Sequence, residues 1–152
     1  MRVLIIDDSV VMRRIVQDAL RHAGLDITEV LQASNGTQGL AAIETEAALG
    51  QTIDLILCDV HMPAMDGVGF MQEVAKRNLV PGVPIVMMTG DSADPYLIRA
   101  IATGAHSYIA KPFTLQQVRA ALASLASGHV QYPGQPTDKT PHPTQTATGV
   151  LP

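Results

Sequence analysis

Five polar residues of this 152-residue chain stand directly behind short apolar runs. Leu4-Ile5-Ile6 leads into Asp7 and Asp8, Leu55-Ile56-Leu57-Cys58 into Asp59, Ile85-Val86-Met87-Met88 into Thr89, and Tyr108-Ile109-Ala110 into Lys111. Three carboxylates, a hydroxyl and an ammonium form a set in which each type suits one task. Carboxylates gathered in one crevice repel, and at least one pKa rises unless a cation joins them. Oxygen ligands alone select a hard ion. Mg2+ is the best candidate, because it keeps several waters and needs few carboxylates, whereas an all-protein Ca2+ cage asks for more ligands. Asp7 and Asp8 would hold the metal. Neighbouring strand positions face opposite sides, so the two should differ, one binding directly and the other through water. Asp59 stands alone and is the natural nucleophile toward phosphorus, giving an acyl phosphate. Lys111 brings a compact positive charge to the phosphoryl group, Thr89 a hydroxyl donor, and Gly90 an open approach. Such transfer is mostly positioning and charge neutralisation, so this set suffices when the donor is already activated.

For these residues to meet, the elements before them must lie side by side. Residues 3–6, 53–57 and 85–88 are short branched runs without alternation, as in parallel strands covered on both faces. Glu29–Ala33 and Ser107–Ala110 are weaker strand candidates. Between them the spacing is helical. Ser9 can cap a first helix whose Met12, Ile15, Val16, Ala19, Leu20 and Ala23 share one face, and Gly24 can end it. Further helices fit 37–48, 68–77, 95–103 and 114–126. Strand and helix alternate five times, which specifies an α/β fold: a doubly wound, five-stranded parallel sheet with helices on both sides. Ligands of such sheets bind beyond the carboxyl ends of the strands, where the strand order reverses.

Composition narrows the class further. The chain is 47% hydrophobic and 16% charged, with a net charge of -4, so one compact domain is expected and a nucleic-acid surface is not. The single Cys58 allows no internal disulfide and reads as buried filler. No apolar stretch reaches membrane-spanning length, and Asp7 and Asp8 interrupt any signal-peptide core, so the expected home is the cytoplasm. After Ser127 the prolines 133, 136, 141, 143 and 152 mix with Gly, Gln and Thr. The expected organisation is therefore a folded domain over 1–126 and a disordered tail over 127–152.

With these residues placed, the sequence resembles the response-regulator receiver family of two-component signalling. The motifs are Asp7-Asp8, Asp59 followed by Met62-Pro63 and Asp66-Gly67, Thr89-Gly90, and Lys111-Pro112-Phe113. Asp7-Asp8-Ser9 followed by Met12-Arg13-Arg14 is most similar to the single-domain chemotaxis type. The resemblance implies a flavodoxin-like (βα)5 fold with strand order 2-1-3-4-5, an order already known from a chemotaxis receiver. It also implies that the backbone carbonyl of His61 completes the metal shell, that Lys111–Pro112 is a cis peptide, and that Tyr108 is an aromatic switch residue. Tyr108 can equally be read as half-buried packing. For the side chains of His61 and Asp91 two readings stand: solvated loop residues, or modulators of water access that tune dephosphorylation. An imidazole ligand is disfavoured beside so many oxygens.

The expected donor is a histidine kinase or phosphotransfer protein. The expected target is another protein, met through the face of the fourth helix, fifth strand and fifth helix, with Tyr108, Arg99 and Arg119. Thr89 and Tyr108, at the ends of adjacent strands, would couple phosphorylation to that face. The chain would be a monomer or weak dimer and no enzyme beyond self-phosphorylation and slow autodephosphorylation. Two rivals remain. A Mg2+ phosphatase with an aspartate nucleophile needs Asp-x-Asp where this chain has Asp-Asp-Ser. A receiver cut from a larger regulator would use 127–152 as its linker.

Overall fold

Short branched runs become strands here because helices cover them from both sides. The computed structural model describes residues 1–128, and the expected tail lies, beyond its first two residues, outside the described residues. The order is β1 (Arg2–Ile6), α1 (Val10–His22), β2 (Glu29–Ala33), α2 (Gly36–Ala48), β3 (Leu55–Asp59), α3 (Gly67–Lys76), β4 (Ile85–Thr89), α4 (Pro95–Ala102), β5 (Ser107–Ala110) and α5 (Leu115–Ala126). All strands are parallel, in the order β2-β1-β3-β4-β5. The central strands β3 and β4 are buried at every position, which explains their unbroken apolar runs. The edge strands β2 and β5 are only partly covered and carry mixed sequences.

The pleat divides the apolar side chains between two cores. Leu4, Ile6, Ile56, Cys58 and Met87 pack with Ile43, Phe70, Leu97 and Ile101 on the side of α2, α3 and α4. Val3, Ile5, Leu57, Met88 and Ile109 pack with Val16, Leu20 and Val118 on the side of α1 and α5. Each large side chain so buried contributes about 1.5–3 kcal/mol. Every helix returns the chain to the amino edge of the sheet, so Met1 and residue 128 lie at that edge and the strand-to-helix loops at the other.

Each helix begins at a side chain that caps it: Ser9, Asn35, Asp66, Asp94 and Thr114 accept from backbone N–H groups of the first turn. Thr114 therefore precedes α5 instead of opening it, in a reciprocal capping box with Gln117. Caps of this kind also move the starts of α2 and α3 by one residue from the spacing-based expectation. β3 starts at Leu55, two residues after Ile53, and Asp54 just before it bonds to Arg2 of β1 through both backbone and side chain. The Asp54 carboxylate accepts from the Arg2 backbone N–H at 2.7 Å. The Arg2 guanidinium in turn donates to Glu29 at 2.8 Å and to the Thr52 carbonyl at 2.9 Å, and pairs with Glu46. This knot ties β1, β2, α2 and the entry to β3 at the amino edge.

Candidate functional site

β1 is the point where the strand order reverses: the chain leaves it for β2, then crosses back to β3 on its other side. Asp7 emerges from β1 and Asp59 ends β3, so both line the crevice opened by that reversal. Ile5 and Leu57 lie two positions earlier on the side of α1 and α5, and the period of two carries Asp7 and Asp59 to that side as well. Lys111 follows Ile109, also on that side. Its backbone N–H donates to the Thr89 carbonyl at 2.6 Å, which fixes it against the end of β4. The Lys111–Pro112 peptide is cis.

The Lys111 ammonium stands between two of the carboxylates, 2.8 Å from Asp7 and 3.1 Å from Asp59. Asp7 is 1% exposed, and its second oxygen accepts from the Ser9 backbone N–H at 2.9 Å. Asp8 is exposed. Ligand oxygens of Asp7, Asp8 and Asp59 lie within 4.8 Å of one another. Burial pushes the Asp59 carboxyl above the usual carboxylate range. Lys111 works against that shift, while Asp7 and Asp8 add to it. Burial pulls the Lys111 ammonium down, yet its contacts with Asp7 and Asp59 prevail and leave it raised, so it is charged at neutral pH. Three carboxylates against one ammonium leave two negative charges in a set of oxygen donors only. A hard divalent cation fits that donor set and balance. Cys58 is buried, and burial followed by the charge of Asp59 raises its thiol well above the usual range, so it is no nucleophile.

Thr89 is 1% exposed, and its hydroxyl donates to the Asp91 carbonyl at 2.8 Å while accepting from the Asp91 N–H at 3.2 Å. Thr89 shares a strand face with Met87, hence the side of α4. Tyr108 pairs with Met87, two positions short of Thr89, so it is not at the strand end as expected, although it is on the same face. It is half-buried against the α4-side core. The Asp91 carboxylate turns into its own loop and accepts from the Ala93 N–H at 2.9 Å. A Cβ at Gly90 would meet open space. A Cβ at Gly67 would lie 2.4 Å from the Asp59 carbonyl oxygen, so only glycine lets α3 start this close to the site.

One placement departs from the sequence-based reading. Arg119 donates to the His22 carbonyl at 3.2 Å, so it belongs to the seam between α5 and α1 and not to the face with Tyr108. The negative carbonyl end of α1 attracts the guanidinium. The His61 side chain, read as solvated or as a modulator, is 59% exposed and also reaches the start of α4: its Nε2 contacts an oxygen of the capping Asp94 carboxylate, and its ring meets Tyr96 edge-on at 5.2 Å. Arg99 lies over the other partner, 5.7 Å from the Tyr96 ring centroid. Asp94-Pro95 is readable as a helix start, but no periodicity links it to a loop residue 33 positions away. A cleft of about 380 Å3 lined by Ile43, Glu46, Leu79, Val80 and Pro81 opens at the amino edge and contains none of these residues.

Comparison with known proteins places these features in context. The profile of the response regulator receiver domain matches residues 3–123. The chemotaxis protein CheY1 of Helicobacter pylori is 31% identical over 122 residues, 80% of this chain and 94% of that one. The chemotaxis protein CheY4 of Vibrio cholerae superposes with a TM-score of 0.64 at 31% identity, over 86% of this chain and 98% of the other. The receiver domain of the sensor histidine kinase PA1611 of Pseudomonas aeruginosa has a TM-score of 0.66 at 25% identity over 80% and 93% of the chains. Its structure contains a magnesium ion in the active-site cleft.

Proposed function

The chain belongs to the response-regulator receiver family of two-component signalling, and on that premise we propose that it is a phosphoacceptor switch of the single-domain chemotaxis type, acting through Asp59. The observation that carries this reading is the Lys111 ammonium bridging Asp7 and Asp59 at the carboxyl ends of β1 and β3, with Asp8 beside them. Asp59 attacks the phosphorus of a phosphohistidine on a kinase or phosphotransfer protein. The new O–P bond forms as the P–N bond breaks, and the donor imidazole leaves with the electron pair. Lys111 neutralises negative charge on the transferring group. The Thr89 hydroxyl donates to a phosphoryl oxygen once it leaves the Asp91 carbonyl. Asp7, Asp8, Asp59 and the backbone carbonyl of His61 would hold Mg2+, which supplies charge neutralisation at the phosphoryl oxygens.

The product is an acyl phosphate that the chain loses slowly, so the protein is a regulator that is modified once per event and not a catalyst of turnover. Its readout is a protein target met through α4, β5 and α5, where Tyr108, Tyr96 and Arg99 present half-buried and exposed surface. The cytoplasm is the compartment this reading implies; among the described residues no helix is long and apolar enough to cross a membrane. The test is incubation with acetyl phosphate and Mg2+ followed by intact-mass spectrometry. One phosphoryl group per chain is expected, absent from Asp59→Asn. Equal uptake by the Asn variant would overturn the assignment, and rapid turnover of a phosphomonoester would favour the phosphatase rival.

A further inference from the structure

The loop between β3 and α3 begins beside Asp59 and carries His61, whose backbone carbonyl faces the metal in the proposed mechanism. Its base is well fastened. The Val60 N–H donates to the Met88 carbonyl at 2.9 Å, the Gly67 N–H to the Val60 carbonyl at 2.8 Å, and the Gly36 N–H of α2 to the Met65 carbonyl at 2.9 Å. The leading half is different. Ala64 turns it with a φ of 66°, a left-handed conformation that costs a non-glycine residue energy. Among the described residues, residues 61–64 have one hydrogen bond to another element: that of His61 with Asp94. A carboxylate can only accept, so the His61 Nε2–H donates to it.

Asp94 has a second task. Its Oδ1 accepts from the Tyr96 N–H at 2.9 Å and caps α4, while its Oδ2 holds His61. The Tyr96 ring, itself on the first turn of α4, packs edge-on against the same imidazole with an interplanar angle of 65°. One carboxylate thus joins the leading half of the site loop, where Met62 packs against the α4-side core, to the first turn of the helix that forms the readout face. We propose that Asp94 is a positioning residue of the phosphoacceptor site: through His61 it fixes the β3–α3 loop beside Asp59, and through its cap it makes the place of that loop and the winding of α4 interdependent. This rests on the phosphoacceptor reading of Asp59. It adds a path between site and α4 that does not pass through Thr89.

The two tasks of Asp94 can be separated. Serine is as good a cap as aspartate but has no second oxygen for His61, so Asp94→Ser keeps α4 started and releases the loop. Wild type, Asp94→Ser, His61→Ala and the double variant are compared. In the metal-free proteins, Asp94→Ser is expected to shift the His61 imidazole NMR signals while hydrogen exchange of the first α4 turn stays as in wild type. With acetyl phosphate, the maximal phosphorylation rate and the apparent Mg2+ affinity should fall by about twofold or more, the lower limit for coupling between contacting residues. In the His61→Ala background the same Ser substitution should have no further effect. Unmoved His61 signals, or an equal loss of rate with and without His61, would overturn the proposal. Failure of the wild type to take up phosphate at Asp59 would instead bring down the functional reading, whatever the imidazole signals do.

Discussion

The surroundings of Asp59 disfavour its ionised form. Burial raises its pKa first, Asp7 and Asp8 push the same way, and Lys111 recovers only part. Between the ordinary carboxylate pKa of about 3.9 and the raised native one, the folded state therefore binds more protons than the unfolded state. Stability from this residue is present below that window and is lost as pH rises through it. Asp59→Asn should accordingly raise the melting midpoint of the metal-free protein by a few degrees near neutral pH, with the advantage shrinking as the pH falls toward the ordinary range. Melts in chelator at several pH values would check this, and an Asn variant less stable than wild type at neutrality would contradict it. Lys111→Ala has the opposite effect, because Asp7 at 1% exposure then keeps a charge with no cation beside it. A cost of about 1–3 kcal/mol is expected by urea unfolding. Asp7, Asp59 and Thr89 are legible in the sequence because each closes a buried apolar run, Lys111 because it closes a shorter, partly covered one, and the end of such a run opens onto the crevice of a parallel sheet. Asp94 is legible only as a cap, and the sequence pattern puts Arg119 on the wrong seam. Both make contacts across the surface, where no burial pattern in the sequence reports the partner.

At the scale of elements, the start of α3 controls how tightly the site is closed. Any side chain at Gly67 would strike the Asp59 backbone, which cannot swing aside as a flexible chain end could. Gly67→Ala should cost about 1–3 kcal/mol and lower the phosphorylation rate together with stability, measured by urea unfolding and intact mass. Loss of stability with an unchanged rate would mean that α3 yields without moving Asp59. Thr114→Ala removes a capping box that Thr114 shares with Gln117 and with none of the carboxylates, and it should cost about 1 kcal/mol with no effect on phosphate uptake. The legibility of the elements follows their coverage. β1, β3 and β4 are plain because both faces are buried, and the helices are plain because one face is. β2 and β5 are faint because edge strands need less apolar sequence, and element ends shift by a residue or two where caps and the Arg2 knot decide them.

For the whole molecule, the sheet separates a core under α1 and α5 from one under α2, α3 and α4, with Asp7, Asp59 and Lys111 on the first side and Thr89 and Tyr108 on the second. A phosphoryl group on Asp59 has to compete for the Thr89 hydroxyl with the Asp91 carbonyl that now accepts it. A charge-assisted bond contributes about 1.5–3 kcal/mol and a neutral one about 0.5–1.5, so the difference shifts the balance by roughly tenfold and not absolutely. Thr89→Ala should therefore still accept phosphate but lose most of the change at Tyr108. NMR of α4, β5 and α5 with beryllofluoride as a phosphoryl mimic reads this directly, and shifts equal to wild type would leave the coupling to another route. The return of every helix to the amino edge has a practical corollary. Met1 and residue 128 are separated from the acidic crevice by the length of the strands, about 17 Å for five residues. A dye, affinity handle or second domain joined at Met1 or at residue 128 would start from the far pole, away from the face an incoming donor must reach, so the architecture is suited to being carried as a cassette within larger chains.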